Sequence, residues 1–238
     1  MSNTSLGAAT KGSKLGIQRL AQPENKHIMD EIVIDTLQWL SPLRKEEYRE
    51  YRMNNSKILN LLGITKDMKE RYFKQFWPSP QPEWDGIAIG TNKILYLFEA
   101  KSHFQEFVPG KKGNHDNDNM KYSSIMNIAK KLFGIENTPA NKEYWCKQYY
   151  QIANRIAFQQ KLITIARKEK VNYADVKMIF LNFVNDRTWE KEKKMVRSAN
   201  DWDIYYDNKI LPLMKISRKQ LTSNNIYIIN VDLDILKQ

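Results

Sequence analysis

Two acids and a lysine stand at the borders of two short apolar runs in the middle of the chain. Asp85 precedes the first run, residues 86–89, while Glu99 and Lys101 close the second run, residues 94–98. A carboxylate in a buried strand must be paired with a cation or bound to a metal. Carboxylate oxygens suit hard divalent cations, and a nearby ammonium group can stabilise developing negative charge. The set therefore indicates either metal-assisted chemistry on an anionic substrate or a structural ion pair.

The two apolar runs predict a β-hairpin. They are rich in β-branched and aromatic residues and are joined by a polar turn at residues 90–93. Because side chains alternate along a strand, Glu99 and Lys101 should point to one face, and Phe98 and Ala100 to the other. The acid that opens the first strand can approach Glu99 if the strands bend there. A plain Glu-Lys pair at a strand end is the alternative.

An Asp at the start of one strand and Glu-x-Lys at the end of the next resembles the PD-(D/E)xK nuclease superfamily, which has a restriction-endonuclease-like fold. Trp84 stands where that motif has its proline. Three longer segments, FWPSPQPEWDGIAIG, FEAKSH and YYQIANR, are similar to a bacterial branch of the superfamily. The resemblance implies an α/β protein with a three-layer α/β/α core. Its order would be helix, three strands, helix, strand, with N-terminal helices and an inserted helix.

The resemblance also implies metal-dependent hydrolysis of phosphodiesters by a DNA endonuclease. Asp85 and Glu99 would bind Mg²⁺, with Mn²⁺ as a substitute, and the carbonyl of Ala100 would be a third ligand. Lys101 would position the attacking water or offset charge in the transition state. Two alternatives stay open: a catalytically inactive nucleic-acid-binding protein that retains the fold, and a metal-independent interaction protein.

A long helix expected over residues 142–168 carries polar side chains that can reach this site. Its apolar residues recur at helical intervals, and Gln151, Asn154 and Arg155 lie on a neighbouring stripe. Some members of the superfamily carry a Gln on this helix facing the active site, which implies a catalytic role for Gln151. Asn154 and Arg155 would then contact the nucleic acid, or Arg155 a carboxylate ligand. His103, in line with the lysine if the strand continues, would touch phosphate. The alternative is a solvated helix face and a structural histidine.

The N-terminal part is expected to contribute less. Residues 1–22 are small and polar and predict a mobile tail, which leaves residues 23–238 as a single nuclease-like domain. The first helix of the superfamily often supplies another metal-facing carboxylate. Glu31 and Glu47 are both candidates, and their spacing does not choose between them. An ordinary solvated charge is the alternative for either one.

Composition restricts the class of protein. The 238 residues are 42% hydrophobic, which is enough for one substantial core. The net charge of +11 favours a polyanionic partner, most simply DNA, although a scattered basic surface is the alternative. One cysteine, Cys146, excludes an intrachain disulfide, and neither a secretion signal nor a long apolar window is present. We therefore expect a cytoplasmic protein without a membrane partner, and a homodimer stays open.

Periodicity and composition predict the remaining elements. Helices are expected over residues 24–40, 44–62, 65–73 and 125–133, and strands over residues 74–77, 177–184 and 226–231. The strand-helix-strand order around the long helix predicts a parallel crossover. Residues 108–119, rich in Gly, Asn and Lys, predict a flexible loop.

Overall fold

The computed structural model describes residues 7–77, 80–107 and 119–237. The strands in these residues are β1 Leu37–Ser41, β2 Tyr51–Arg52, β3 Glu83–Trp84, β4 Gly86–Gly90, β5 Ile94–Lys101, β6 Asp175–Val184 and β7 Ile226–Asp232. The α-helices are α1 Gly12–Leu20, α2 Lys26–Val33, α3 Ser56–Leu62, α4 Lys66–Phe73, α5 Asn119–Phe133, α6 Pro139–Lys142, α7 Tyr150–Lys168, α8 Ala199–Tyr205, α9 Leu211–Met214 and α10 Arg218–Ser223.

Five strands form one mixed sheet in the order β1-β4-β5-β6-β7. The strands β1, β4 and β5 are antiparallel neighbours, whereas β6 is parallel to both β5 and β7. The predicted hairpin and the predicted parallel crossover through the long helix are therefore confirmed. The strands β2 and β3 form a separate two-stranded sheet.

Alternate side chains of β5 enter two hydrophobic cores, one on each face of the sheet. Leu95 and Leu97 belong to the larger core with Ile156 of α7, while Tyr96 and Phe98 belong to the smaller core with α1 and α2. The helices α3, α4, α5 and α8 also bury residues in the larger core. The protein is therefore a three-layer α/β/α fold, as predicted, with helix, three strands, helix and strand in that order.

The N-terminal segment is not the mobile tail that its composition suggested. Ile17 and Leu20 of α1 are fully buried against the sheet. Helix and sheet approach closely at Gly16, where a Cβ atom would lie 2.5 Å from the Phe183 ring. The prediction for residues 1–22 is thus wrong from α1 onward, because two apolar residues at helical spacing are enough to attach a short helix. Residues 1–6 lie outside the described residues.

Three further expectations near the N-terminus need correction, and one is confirmed. The helix expected over residues 24–40 ends at Val33, and the rest of that window includes β1. Only α3 is an α-helix within residues 44–62, because the Asn55 side chain accepts the Lys57 N–H and starts the helix there. Residues 74–77 form no strand. The helix over residues 65–73 is confirmed, with the Thr65 side chain capping α4.

The long helix is interrupted where it meets the end of β5. A π-helical turn, Glu143–Gln148, precedes α7, and Tyr149 between them leaves helical geometry with φ −111° and ψ 34°. The inserted helix is present as α5, and the expected loop lies outside the described residues except for Asn119. Among the described residues, no helix combines the length and apolar character needed to cross a bilayer.

Candidate active site

A cavity of about 630 Å³ opens where β3 passes into β4 and where β5 ends. The start of α7 forms its far wall. The charged side chains around it are Glu50, Glu83, Asp85, Glu99, Lys101, Glu106 and Arg155. The polar ones include Ser13, Gln148, Gln151 and Asn154. Its volume is typical of a small-molecule or cofactor site, and its lining is unusually rich in charge.

Asp85 lies at the point where the chain leaves the ladder with β5. If the β4–β5 register continued, Ala100 would face Trp84, but Trp84 belongs to β3 in the separate two-stranded sheet. The N–H of Ala100 instead donates to Asp85 Oδ2 at 2.7 Å. The carboxylate therefore takes the place of a backbone acceptor, and this hydrogen bond fixes it beside the end of β5.

Glu99 and Lys101 share one face of the sheet, as the strand alternation predicted. Lys101 Nζ donates to Glu99 Oε1 at 2.5 Å, and Arg155 Nε donates to Glu99 Oε2 at 2.6 Å. A second nitrogen, Arg155 Nη2, donates to the Glu83 carbonyl at 2.6 Å. Glu99 is 2% exposed, and Lys101 and Arg155 are each 5% exposed. Glu99 is thus clamped between two buried cations.

The two acids differ in charge state because they share these cations unequally. Burial, together with repulsion from Glu99, raises the pKa of Asp85 to about 8. Burial also opposes ionisation of Glu99, but Arg155 and Lys101 outweigh it and hold the pKa of Glu99 below its ordinary value. Burial alone would lower the pKa of Lys101; attraction to Glu99 and Asp85 outweighs it, so that pKa is raised. Lys101 is therefore an ammonium ion at neutral pH.

The predicted helix residues reach the cavity, whereas the predicted histidine does not line it. Gln151 is exposed at the start of α7, and Asn154 Oδ1 accepts a hydrogen bond from Arg155 Nη1 at 3.0 Å. Arg155 makes the carboxylate contact that was one of its two expected roles. Because β5 ends at Lys101, the alternation does not extend to His103. Its ring instead packs edge-on against Trp189, with the ring centroids 4.3 Å apart.

The additional carboxylate is neither of the two candidates. Glu31 and Glu47 are both exposed, and neither lines the cavity. Glu50, the residue before β2, lines it instead, and Lys14 Nζ lies 3.3 Å from Glu50 Oε1. Burial raises the pKa of Glu50 despite that lysine. Glu50 is therefore an acid of the N-terminal part that lines the cavity at a position that neither candidate anticipated.

Helix α1 also contributes to the site, although residues 1–22 were expected to form a mobile tail. Ser13 Oγ donates to Glu106 Oε2 at 2.8 Å, while the N–H of Ser102 donates to Glu106 Oε1 at 2.9 Å. Glu106 therefore joins the start of α1 to the chain leaving β5. The sequence did contain a signal for this wall: the apolar pair of α1 at positions i and i+3, the spacing of one helix face.

The donor set suits a hard divalent cation. Asp85 and Glu99 both line the cavity, and burial together with repulsion between the two acids raises the pKa of Asp85, so a cation bound there would be attracted to both. Within the described residues, no three His, Cys, Asp or Glu side chains are arranged to hold a metal by themselves. Mg²⁺ commonly binds through only one or two carboxylates, with waters and substrate phosphate completing its shell. Glu99 would have to release part of its contact with Arg155 or Lys101.

Comparison of the chain with protein-family models, with curated proteins and with solved structures finds no match in any of the three. Function must therefore be inferred from the chemistry of the site itself.

Proposed function

We propose that this protein is a metal-dependent nuclease of the PD-(D/E)xK type that hydrolyses phosphodiester bonds in DNA. One observation carries the proposal: Asp85, the residue before β4, meets Glu99 and Lys101 of β5 in a single cavity. A structural Glu-Lys pair would not require a second, strained acid beside it. The net charge of +11 adds a general attraction for polyanions.

Asp85 and Glu99 would hold Mg²⁺ or Mn²⁺, and the carbonyl of Ala100, the residue after Glu99, would be the third ligand. Such a cation supplies a Lewis acid that polarises the phosphoryl oxygen and lowers the pKa of a bound water. Lys101 acts as a cation and not as a general base, because its raised pKa keeps it protonated. Its ammonium group offsets the negative charge that grows on the phosphate during attack.

Residues of α7 would arrange the site around this chemistry. Arg155 orients Glu99 by donating to one of its oxygens, while its contact with the Glu83 carbonyl fixes the guanidinium against β3. Gln151, exposed at the rim, is placed to donate to a phosphate oxygen or to the attacking water. Asn154 holds Arg155 through its side-chain oxygen and is a positioning residue.

The test is nicking of supercoiled plasmid with Mg²⁺, with Mn²⁺ and with a chelator. We expect metal-dependent cleavage by the native protein and at least about a hundredfold loss in Lys101→Met and in Asp85→Asn, because each removes charge used in the transition state. Asp35→Asn is the matched control, since Asp35 is also a buried acid but lies outside this cavity. Undiminished cleavage by Lys101→Met would contradict the proposal.

A second function is favoured by one feature of the same site. Lys101 and Arg155 already occupy both oxygens of Glu99, so this carboxylate is neutralised without any metal. That balance suits a nucleic-acid-binding protein that retains the fold without catalysis. It predicts salt-dependent DNA or RNA binding that survives chelation, with no cleavage under any divalent cation. Calorimetric titration with Mn²⁺ separates the two: heat of binding that disappears in Asp85→Asn supports the nuclease.

A further inference from the structure

A second cavity, of about 480 Å³, lies on the larger-core side of the sheet next to the candidate active site. Its walls are mainly apolar and come from the turn after β5, from the segment before α8 and from α8 itself. Phe104, Val196, Ile204 and Tyr205 form these walls. Ile204 is 49% exposed, which is unusual for an isoleucine on a helix that packs into a core.

One aromatic residue connects the two cavities. Phe107 lines the candidate active site, where Lys101 Nζ lies 5.9 Å from the centre of its ring. The same ring packs against Tyr205, which lines the second cavity, with ring centroids 5.9 Å apart. A ligand whose charged part occupied the first cavity could therefore extend over Phe107 into the second.

The chemistry of the second cavity fits a flat aromatic group attached to an anion. Phe104 and Tyr205 stack face to face, with centroids 4.4 Å apart and an interplanar angle of 17°, so a base would extend this stack on an outer face of the pair. Two exposed cations, Arg197 and Lys209, border the same cavity and outnumber the one acid in its lining, Asp201. Aromatic walls hold nucleobases by stacking, and flanking cations hold the phosphates between them.

We propose that this second cavity binds an unstacked base of the strand whose backbone lies in the candidate active site. The preferred substrate class would then be single-stranded or locally unpaired DNA rather than continuous duplex. This inference rests on the proposed function for the position of the backbone. In a duplex every base is stacked and paired, so a base must be unpaired and unstacked before it can enter the cavity, which costs free energy. In an unpaired strand that cost is small.

The first measurement is DNA binding in the presence of a chelator, so that binding is measured without cleavage. Fluorescence anisotropy would compare a labelled single-stranded oligonucleotide with a blunt duplex of the same length and salt concentration. We expect the native protein to bind the single strand more tightly. A 2-aminopurine base within the single strand should lose fluorescence on binding, because stacking on an aromatic ring quenches it.

Two variants address the cavity and one provides the control. Tyr205→Leu keeps an apolar side chain against Phe104 but removes the stacking ring, and Ile204→Asp places a negative charge at the exposed wall. Each should weaken single-strand binding roughly tenfold and abolish the quenching. Ile32→Asp makes the same charge change at a 41% exposed isoleucine of α2, on the opposite side of the sheet, and should leave both unchanged.

The outcomes separate this inference from the nuclease proposal. Metal-dependent cleavage with equal affinity for both DNA forms, and no effect of Tyr205→Leu, would overturn the base-binding cavity and leave the nuclease intact. Loss of single-strand preference in Tyr205→Leu, in a protein that never cleaves, would support the cavity and contradict catalysis. Equal weakening by Ile204→Asp and Ile32→Asp would show a general charge effect and would also overturn the cavity.

Discussion

An acid lies at each end of the β4–β5 hairpin, and the protein shifts the pKa values of the two acids in opposite directions. At the turn between β4 and β5, Asp35 accepts hydrogen bonds from Thr91 Oγ1 at 2.8 Å and from the Tyr96 hydroxyl at 3.0 Å. Burial alone would raise the pKa of Asp35, but these donors outweigh it and hold that pKa below its ordinary value. At the open end, the pKa of Asp85 is raised to about 8.

Burial opposes ionisation of both acids; repulsion from Glu99 adds to it at Asp85, whereas hydrogen-bond donors outweigh it at Asp35. The turn end is shaped around the carboxylate: a Cβ atom on Gly90 would overlap Asp35, so only glycine leaves room for it. At the open end, Glu99 has taken both cations, and the hydrogen bond found for Asp85 is the one from Ala100. Within the described residues, the protein therefore supplies more hydrogen-bond donors to Asp35 than to Asp85.

This contrast shows how the fold can retain an unfavourable site. A protein has only a small net stability, so a buried acid with too few donors must be offset elsewhere. The hairpin offsets it within its own length, through the apolar residues of β5 on both faces and the hydrogen-bonded acid at the turn. An acid with several donors and an acid with few donors therefore lie at opposite ends of the same hairpin.

The largest expected effect is on the pH dependence of stability, through Asp85→Asn. The pKa of Asp85 is about 8 in the folded protein and near 3.8 when unfolded, so the native carboxyl keeps a proton that the unfolded chain releases. Its contribution to the free energy of unfolding therefore falls as the pH rises between those values. Asparagine cannot ionise but can still accept the Ala100 N–H. We expect a relative gain on the order of 4 kcal/mol between about pH 5 and about pH 8.

Urea denaturation with a chelator present, at several pH values, measures this gain. The free energy of unfolding of the variant is compared with that of the native protein at each pH. Other groups titrate over the same range in both proteins, so their contributions cancel in the difference. The same variant should lose cleavage, so that stability increases while function disappears. A difference in the free energy of unfolding that stays constant across this pH range would show that Asp85 is not a strained acid.

The next largest effect is expected from Arg155→Met. Methionine retains apolar volume but leaves Glu99 with only Lys101 and removes the donor to the Glu83 carbonyl. Breaking a buried pair from one side should cost about 3 kcal/mol of unfolding free energy, measured by urea denaturation. Because Arg155 and Glu99 are in direct contact, the loss in the double variant with Glu99→Gln should be smaller than the sum of the two single losses.

Urea denaturation of the same variant with a divalent cation present also tests the metal site. If Mg²⁺ binds at Glu99, it should raise the urea midpoint of Arg155→Met more than that of the native protein, because the cation replaces the missing guanidinium. A variant as stable as the native protein would contradict the clamp on Glu99. An equal response of both proteins to Mg²⁺ would count against the metal site.

At the open end of the hairpin, the placement of the side chains was predictable from the sequence, because it follows local rules. Alternation along a strand puts Glu99 and Lys101 on one face regardless of what surrounds them, and the structure confirms it. The same rule gave a wrong expectation for His103, because β5 ends at Lys101 and the alternation of side chains applies only within a strand. Helical periodicity likewise brought Gln151 and Arg155 to the site, since α7 crosses β5 at that point.

The contributions from the N-terminal part were not predictable in the same way. The position of Glu50 depends on β2 pairing with β3, a contact between segments distant in sequence that no periodic pattern records. Asn55 did carry a signal, because an Asn before Ser56 starts a helix and so excludes a continuous one over residues 44–62. The clamp of Arg155 on Glu99 also required the structure, since sequence alone left carboxylate and phosphate as equal partners.

The smallest effect is expected at the satisfied acid, in Asp35→Asn. The variant keeps an oxygen for Thr91 or Tyr96 and loses only the charge on that acceptor, so we expect a loss of about 1 kcal/mol of unfolding free energy. Because the pKa of Asp35 lies below its ordinary value, the native stabilisation is fully present above about pH 4. It disappears only as the pH falls through the folded pKa. The loss in urea denaturation should thus be the same at about pH 5 and about pH 8, with cleavage retained. Cleavage lost to the same extent as in Asp85→Asn would mean that the two ends of the hairpin do not differ in the way proposed.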